Sequence, residues 1–144
     1  MNGVQQPICL HYVVPGDDFT RAGEASADLK ARLKVLGFMP DAVRRVAIAM
    51  YEGEINQAIH AGGGMIDVDV TPHRVHMVLT DHGPGIEDIP LAMSEGYSTA
   101  PDEVHSLGFG AGMGLPNMKK YTDEFDIQST VGVGTRIEMA VNIS

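Results

Sequence analysis

Apolar and polar positions alternate along this chain in two rhythms. Ile8–Val14 is a short apolar-rich run closed by Pro15-Gly16, which predicts a strand ending in a turn. Phe19, Ala22, Ala25, Leu29, Leu33 and Leu36 then recur at helical spacing. That spacing predicts one helix capped by Asp17 or Asp18, running to about Leu36 and stopped by Gly37. Pro40-Asp41 opens a second helix that reaches about His60 and stops at Gly62, because proline suits a first helical turn. The rhythm then shortens to two. Met65–Val70 and Arg74–Thr80 both alternate, with Thr71-Pro72-His73 between them, the pattern of a hairpin. Ile89–Met93 predicts a short helical turn and Leu115–Tyr121 a helix entered from a glycine-rich loop. Phe125–Ser129 and Thr135–Ile143 predict two last strands joined by Val131-Gly132-Val133-Gly134. Helices grouped apart from hairpins imply an α+β fold: a two-layer sandwich, with a mostly antiparallel sheet covered on one face by helices.

Composition narrows the function. A chain of 144 residues predicts a single domain, 1–144, with one core. Apolar residues make up 44% and charged residues 20%, a globular composition. Ten Lys and Arg stand against 19 Asp and Glu, a net charge of −9. That balance argues against nucleic acid and against anionic membrane surfaces, both of which call for basic faces. No run approaches the ~20 apolar residues of a membrane span, and Met1–Pro7 lacks the blocks of a signal peptide. A cytoplasmic protein is the expectation. Cys9 is the sole cysteine and is expected to be a small buried side chain.

Three places carry candidate chemistry. Glu52, Asn56 and His60 are spaced i, i+4, i+8 and share one stripe of the second helix. The carboxylate can accept a proton, and the carboxamide oxygen can join the shell of Mg²⁺; the same stripe can also be a solvated face. Glu54, two residues on, points elsewhere. Asp81-His82-Gly83-Pro84-Gly85 ends a strand. It reads either as a carboxylate beside backbone that approaches a flat ligand or as an ordinary turn. Gly108, Gly110, Gly112 and Gly114 alternate directly before a helix, a phosphate cradle or a hinge. No Gly-Lys-Ser/Thr follows, so it is not a Walker A loop. The polar segment Glu95–Leu107 suits a lid that orders on ligand. From Val75 to Met118 there is no Lys or Arg, so phosphate bound there must rely on backbone N–H groups and a divalent cation. Lys119 and Lys120 read as solvated surface.

Taken in order, Glu52-x-x-x-Asn56-x-x-x-His60, Asp81-x-Gly83-x-Gly85, Gly110-x-Gly112-x-Gly114 and Gly134-Thr135 resemble the ATP-binding domain of the GHKL superfamily. The resemblance runs from about Ile8 to Val141. Its small stand-alone form is similar to the bacterial anti-sigma-factor serine/threonine kinases, and Asp123-Glu124-Phe125 adds to that likeness. It implies the Bergerat ATP-binding fold. It also implies that Asn56 coordinates Mg²⁺, that Glu52 is the general base or orients water, and that Asp81 binds the adenine amine with Thr135 in support. Gly83 and Gly85 would border the base, while Gly108, Gly110, Gly112, Met113 and Gly114 would wrap the triphosphate. His60 would be structural. The kinases often carry a basic lid residue near the γ-phosphate, and this lid has none. The implied partners are ATP or ADP and a regulatory protein, a sigma factor or a phosphoacceptor antagonist. A homodimer through the first helix and strand is implied as well. Three functions stay open: phosphoryl transfer to a partner Ser or Thr, nucleotide-gated partner switching without transfer, and an ATP-binding subunit of a histidine-kinase-like system.

Overall fold

The computed structural model describes residues 7–94 and 114–143. Its elements follow in the order β1 (Ile8–Pro15), α1 (Glu24–Val35), α2 (Pro40–His60), β2 (Gly63–Val70), β3 (Arg74–Asp81), α3 (Ile89–Ala92), α4 (Gly114–Lys120), β4 (Glu124–Thr130) and β5 (Gly134–Asn142). The five strands form one antiparallel sheet in the order β1-β2-β3-β5-β4. The two-layer α+β sandwich expected from the alternation is the fold observed.

Period-two burial decides which face is inside. Ile66, Val68 and Val70 of β2, Val75, Met77 and Leu79 of β3, and Ile137, Met139 and Val141 of β5 are all buried. They meet Val43, Val46, Ala49 and Met50 of α2, with Leu29 and Leu33 of α1 and Met118 of α4 at the flanks. Each large side chain moved from water into such a core contributes roughly 1.5–3 kcal/mol. The opposite face carries polar pairs. His11 Nδ1 lies 2.7 Å from Asp67, and His76 Nε2 lies 2.6 Å from Glu138. His76, and then Arg136, hold the Glu138 carboxyl below the usual carboxylate range.

Helix α2 is the spine of the molecule, and two devices seat it. Gly53 lets it press on β3, since a Cβ there would lie 2.2 Å from Leu79 Cδ2. Gln57, buried, donates through Nε2 to the carbonyls of Met65 and Thr80, both at 3.2 Å. At its start, Arg45 bonds Asp41, Asp123 and the carbonyl of Asn142. This clasp ties α2 to the β4–β5 hairpin and gives Asp123 a structural task.

Two expectations need correction. The first helix is not continuous from Asp17 or Asp18. Asp18 caps a 3₁₀ turn, Phe19–Arg21, and α1 begins only at Glu24. Gly23 interrupts it at φ +105°, a conformation that cannot continue a right-handed helix. The stop at Gly37 is as expected: Phe38 and Gly37 donate back to Leu33 and Lys34, a Schellman closure. Cys9 is exposed, not buried. On the edge strand β1 the inward places go to Leu10, Tyr12 and Val14, so Cys9 falls in the outward phase, where the neighbouring Asp69 raises the pKa of its thiol. An apolar groove of about 370 Å³ lies between β1 and α1, lined by Ile8, Leu10, Leu29, Leu33, Leu36 and Val70 among others.

Candidate active site

The site is strung along α2. Glu52, Asn56 and His60 lie on successive turns and are half-buried. The stripe from Glu52 to His60 spans roughly 12 Å at ~1.5 Å per residue. At the Glu52 end stands α4. Asn117 Nδ2 donates to Glu52 Oε2 at 2.8 Å, and a Cβ on Gly114 would come no closer than 3.9 Å to Glu52 Oε1. The Tyr51 hydroxyl has a raised pKa, first through burial and then through the negative charges of Glu52 and Glu54.

At the far end of α2 stands Asp81. The buried phase of β3 runs Val75, Met77, Leu79, Asp81, so the alternation that fills the core also places this carboxylate on the helix-covered face. Asp81 is 7% exposed. Its Oδ1 accepts the backbone N–H of Gly83 at 2.9 Å and of Thr135 at 3.2 Å. Among the described residues both bonds end on Oδ1, which leaves Oδ2 as an acceptor for an incoming amine. The Thr135 hydroxyl lies 2.8 Å from that of Ser129. Ser129 also accepts the N–H of Ile86 at 2.7 Å. Gly83 packs against Ala61 at the end of α2. Gly85 sits at φ +81°, where a Cβ would lie 2.5 Å from the Thr130 carbonyl, so the loop after Asp81 lies tight on the β4–β5 hairpin.

The structure therefore brings Asp81, Thr135, Gly83 and Gly85 together at one end, with Glu52 and Gly114 at the other and Asn56 on the turns between. Gly108, Gly110, Gly112 and Met113 lie outside the described residues. Four residues were missed as contributors. Ser129 falls in the inward phase of β4 with Phe125 and Ile127, a polar position in an apolar row. Asn117 follows the glycine run by one turn. Gln57 adjoins Asn56 and is buried. Glu54 does point away from Glu52, but into the core: at 2% exposure its carboxylate accepts the N–H groups of Gly23, Ala25 and Ser26 at 2.9–3.0 Å. It is the N-terminal cap of α1. The signal was its place on the stripe with Val43, Val46 and Met50, because a buried charge needs partners.

The sequence profile of the histidine kinase-, DNA gyrase B-, and HSP90-like ATPases matches residues 42–144, from the start of α2 through the last strand. The chain belongs to this family of ATPases. Within it, the chain is 35% identical over 109 residues to the serine/threonine-protein kinase RsbT of Bacillus subtilis, covering 73% of this chain and 76% of that one. It is 29% identical over 126 residues to the anti-sigma F factor of Anoxybacillus flavithermus, covering 79% and 83%. It is 32% identical over 121 residues to an anti-sigma F factor of Clostridium botulinum, covering 76% and 81%. The chain covers more than three quarters of the length of each of these relatives. No helix among the described residues is long and apolar enough to cross a membrane.

Proposed function

We propose that this ATPase-family chain is a cytoplasmic, anti-sigma-factor-like serine/threonine protein kinase that passes the γ-phosphoryl of ATP to a regulatory partner, a sigma factor or a phosphoacceptor antagonist. The observation that carries the reading is the arrangement along α2: Asp81, whose two bonds among the described residues both fall on Oδ1, at one end, and a half-buried Glu52, bonded among the described residues through Oε2, at the other. The adenine amine meets Asp81, with Thr135 and Ser129 holding the neighbouring strands in place. The triphosphate runs toward Glu52. Asn56 fits Mg²⁺: it offers a neutral carboxamide oxygen, and water and phosphate oxygens complete such a shell. Among the described residues no cluster of three His, Cys, Asp or Glu forms a metal cage, so phosphate must supply part of the coordination. When bound, Mg²⁺ neutralises charge on the phosphate oxygens. Glu52 takes the proton of the acceptor hydroxyl while that oxygen bonds the γ-phosphorus and the bond to the bridging oxygen of ADP breaks. The groove between β1 and α1, beside what is the edge of the sheet among the described residues, supports a homodimer through that surface.

Glu52→Gln tests the reading. Nucleotide affinity stays within about twofold, and phosphoserine or phosphothreonine formed on a partner captured with Mg·ATP falls by about 10²–10⁴. Transfer at the wild-type rate would sink it. A second reading, nucleotide-gated binding without transfer, is favoured by one observation: the stretch from Val75 to Met118 supplies no Lys or Arg to meet the γ-phosphate. On that reading, partner capture by Glu52→Gln matches wild type and no phosphoprotein forms with either.

A further inference from the structure

We infer that Asn117 is a positioning residue for phosphoryl transfer, holding Glu52 so that Oε1 faces the acceptor hydroxyl. The inference rests on the reading of Glu52 as proton acceptor and adds a residue that the reading does not require. Asn117 and Glu52 are 65 positions apart, and a single side-chain bond of 2.8 Å joins them. A carboxylate only accepts, so the amide must present its NH₂ group, and the bond is charge-assisted. That bond occupies Oε2. On the other side, Gly114 brings only backbone toward Oε1. Among the described residues the two oxygens are thus unequal: Oε2 is held by a side chain and Oε1 is not.

The donor is itself well fixed. On α4, Leu115 is 7% exposed and Met118 is fully buried, so the helix is anchored in the core on both sides of Asn117. Met118 lies against α2, its Sδ being 3.4 Å from where a Gly53 Cβ would stand, next to Glu52. A glutamate has three rotatable bonds and loses much freedom when held, while a base acts well only within a narrow range of positions. Asn117 supplies that restriction from a different helix, so the orientation of the base depends on α4 being seated against α2.

The test uses the whole chain and Mg·ATP, with water as acceptor and phosphate release as the readout. Asn117→Ala lowers kcat by about 10–100-fold with KM within about twofold. Asn117→Asp, equal in size but an acceptor facing an acceptor, lowers kcat further. A residue that merely packs would tolerate the isosteric change better than the truncation. In a Glu52→Gln background, Asn117→Ala has no further effect on the residual rate, because Asn117 acts only through Glu52. Thermal melts identify any variant that fails to fold, and Asn117→Ser then stands in as a shorter hydroxyl donor, expected to fall between wild type and Ala. Unchanged kcat in Ala and Asp, or the same loss in both backgrounds, overturns the role of Asn117 while leaving Glu52 intact. Phosphate release by Glu52→Gln at the wild-type rate overturns the reading of Glu52 itself, and this inference with it.

Discussion

The two ends of the α2 site hold their carboxylates by different means. Asp81 sits on a central strand, is buried, and is fixed by two backbone N–H groups from segments the sheet already orders. Glu52 sits on a helix, is half-buried, and is fixed by one side-chain amide from a seven-residue helix. Backbone donors survive every substitution except proline and cost no side-chain entropy, so the Asp81 end is preformed. The Glu52 end depends on two elements meeting. Recognition of a rigid base suits the first arrangement, and a proton acceptor that must be set in place suits the second.

Glu54 sharpens the contrast, since it too is held by backbone N–H groups yet lies two residues from Glu52. Glu54→Ala strands those donors at the start of α1, and the expected loss is about 3 kcal/mol of folding stability. Urea unfolding followed by circular dichroism measures it, and a loss below about 1 kcal/mol would show that water replaces the cap. Asp81→Ala is expected to lower ATP affinity by about 10–100-fold, the worth of one hydrogen bond to a charged group, with a smaller loss of stability. Isothermal titration with a non-hydrolysable ATP analogue reads this; equal weakening of GTP would move the recognised group away from the base.

The smallest effect lies away from the α2 site. Tyr12 donates to Asp28 at 2.7 Å, and Arg32 bonds the same carboxylate at 2.8 Å. Arg32 and then Tyr12 hold the Asp28 carboxyl below the usual range, while burial and then the Asp28 bond raise the Tyr12 hydroxyl. A depressed acid stabilises the fold above its unfolded pKa of about 3.9 and loses that contribution as pH falls through the folded value. Tyr12→Phe is therefore expected to cost under about 1 kcal/mol near pH 7 and less near pH 2. Denaturation midpoints at both pH values check it, and nucleotide affinity should not move.

The strands and α2 were legible in the sequence because their periodicity is local and each buried face is long. The places of Asp81 and Gly134-Thr135 in the fold were legible as well, since the first ends a strand and the second begins one. What sequence reasoning missed shares one property: the partner is remote. Glu54 looked like a surplus acid because its three donors lie 28 to 31 residues earlier. Asn117 looked like a helix residue because Glu52 is 65 positions away. The false start of the first helix has the same origin. Asp18 is a good cap locally, but it serves a 3₁₀ turn, and the cap α1 uses comes from α2. Cys9 went wrong for a simpler reason: composition says that cysteines are usually buried, while strand phase says which way this one points.

The Glu54 cap also bears on the order in which the chain folds. Helix α1 has 12 residues and no side-chain cap of its own at Gly23, and an isolated helix of that length is marginal in water. Its first turn is completed only when α2 delivers a carboxylate from further along the chain. Helix α1 thus comes earlier in sequence than the group that completes its first turn, and that turn is fully bonded only with α2 in place. A nascent chain that has emerged only as far as Phe38 holds the residues of α1 without the group that starts it.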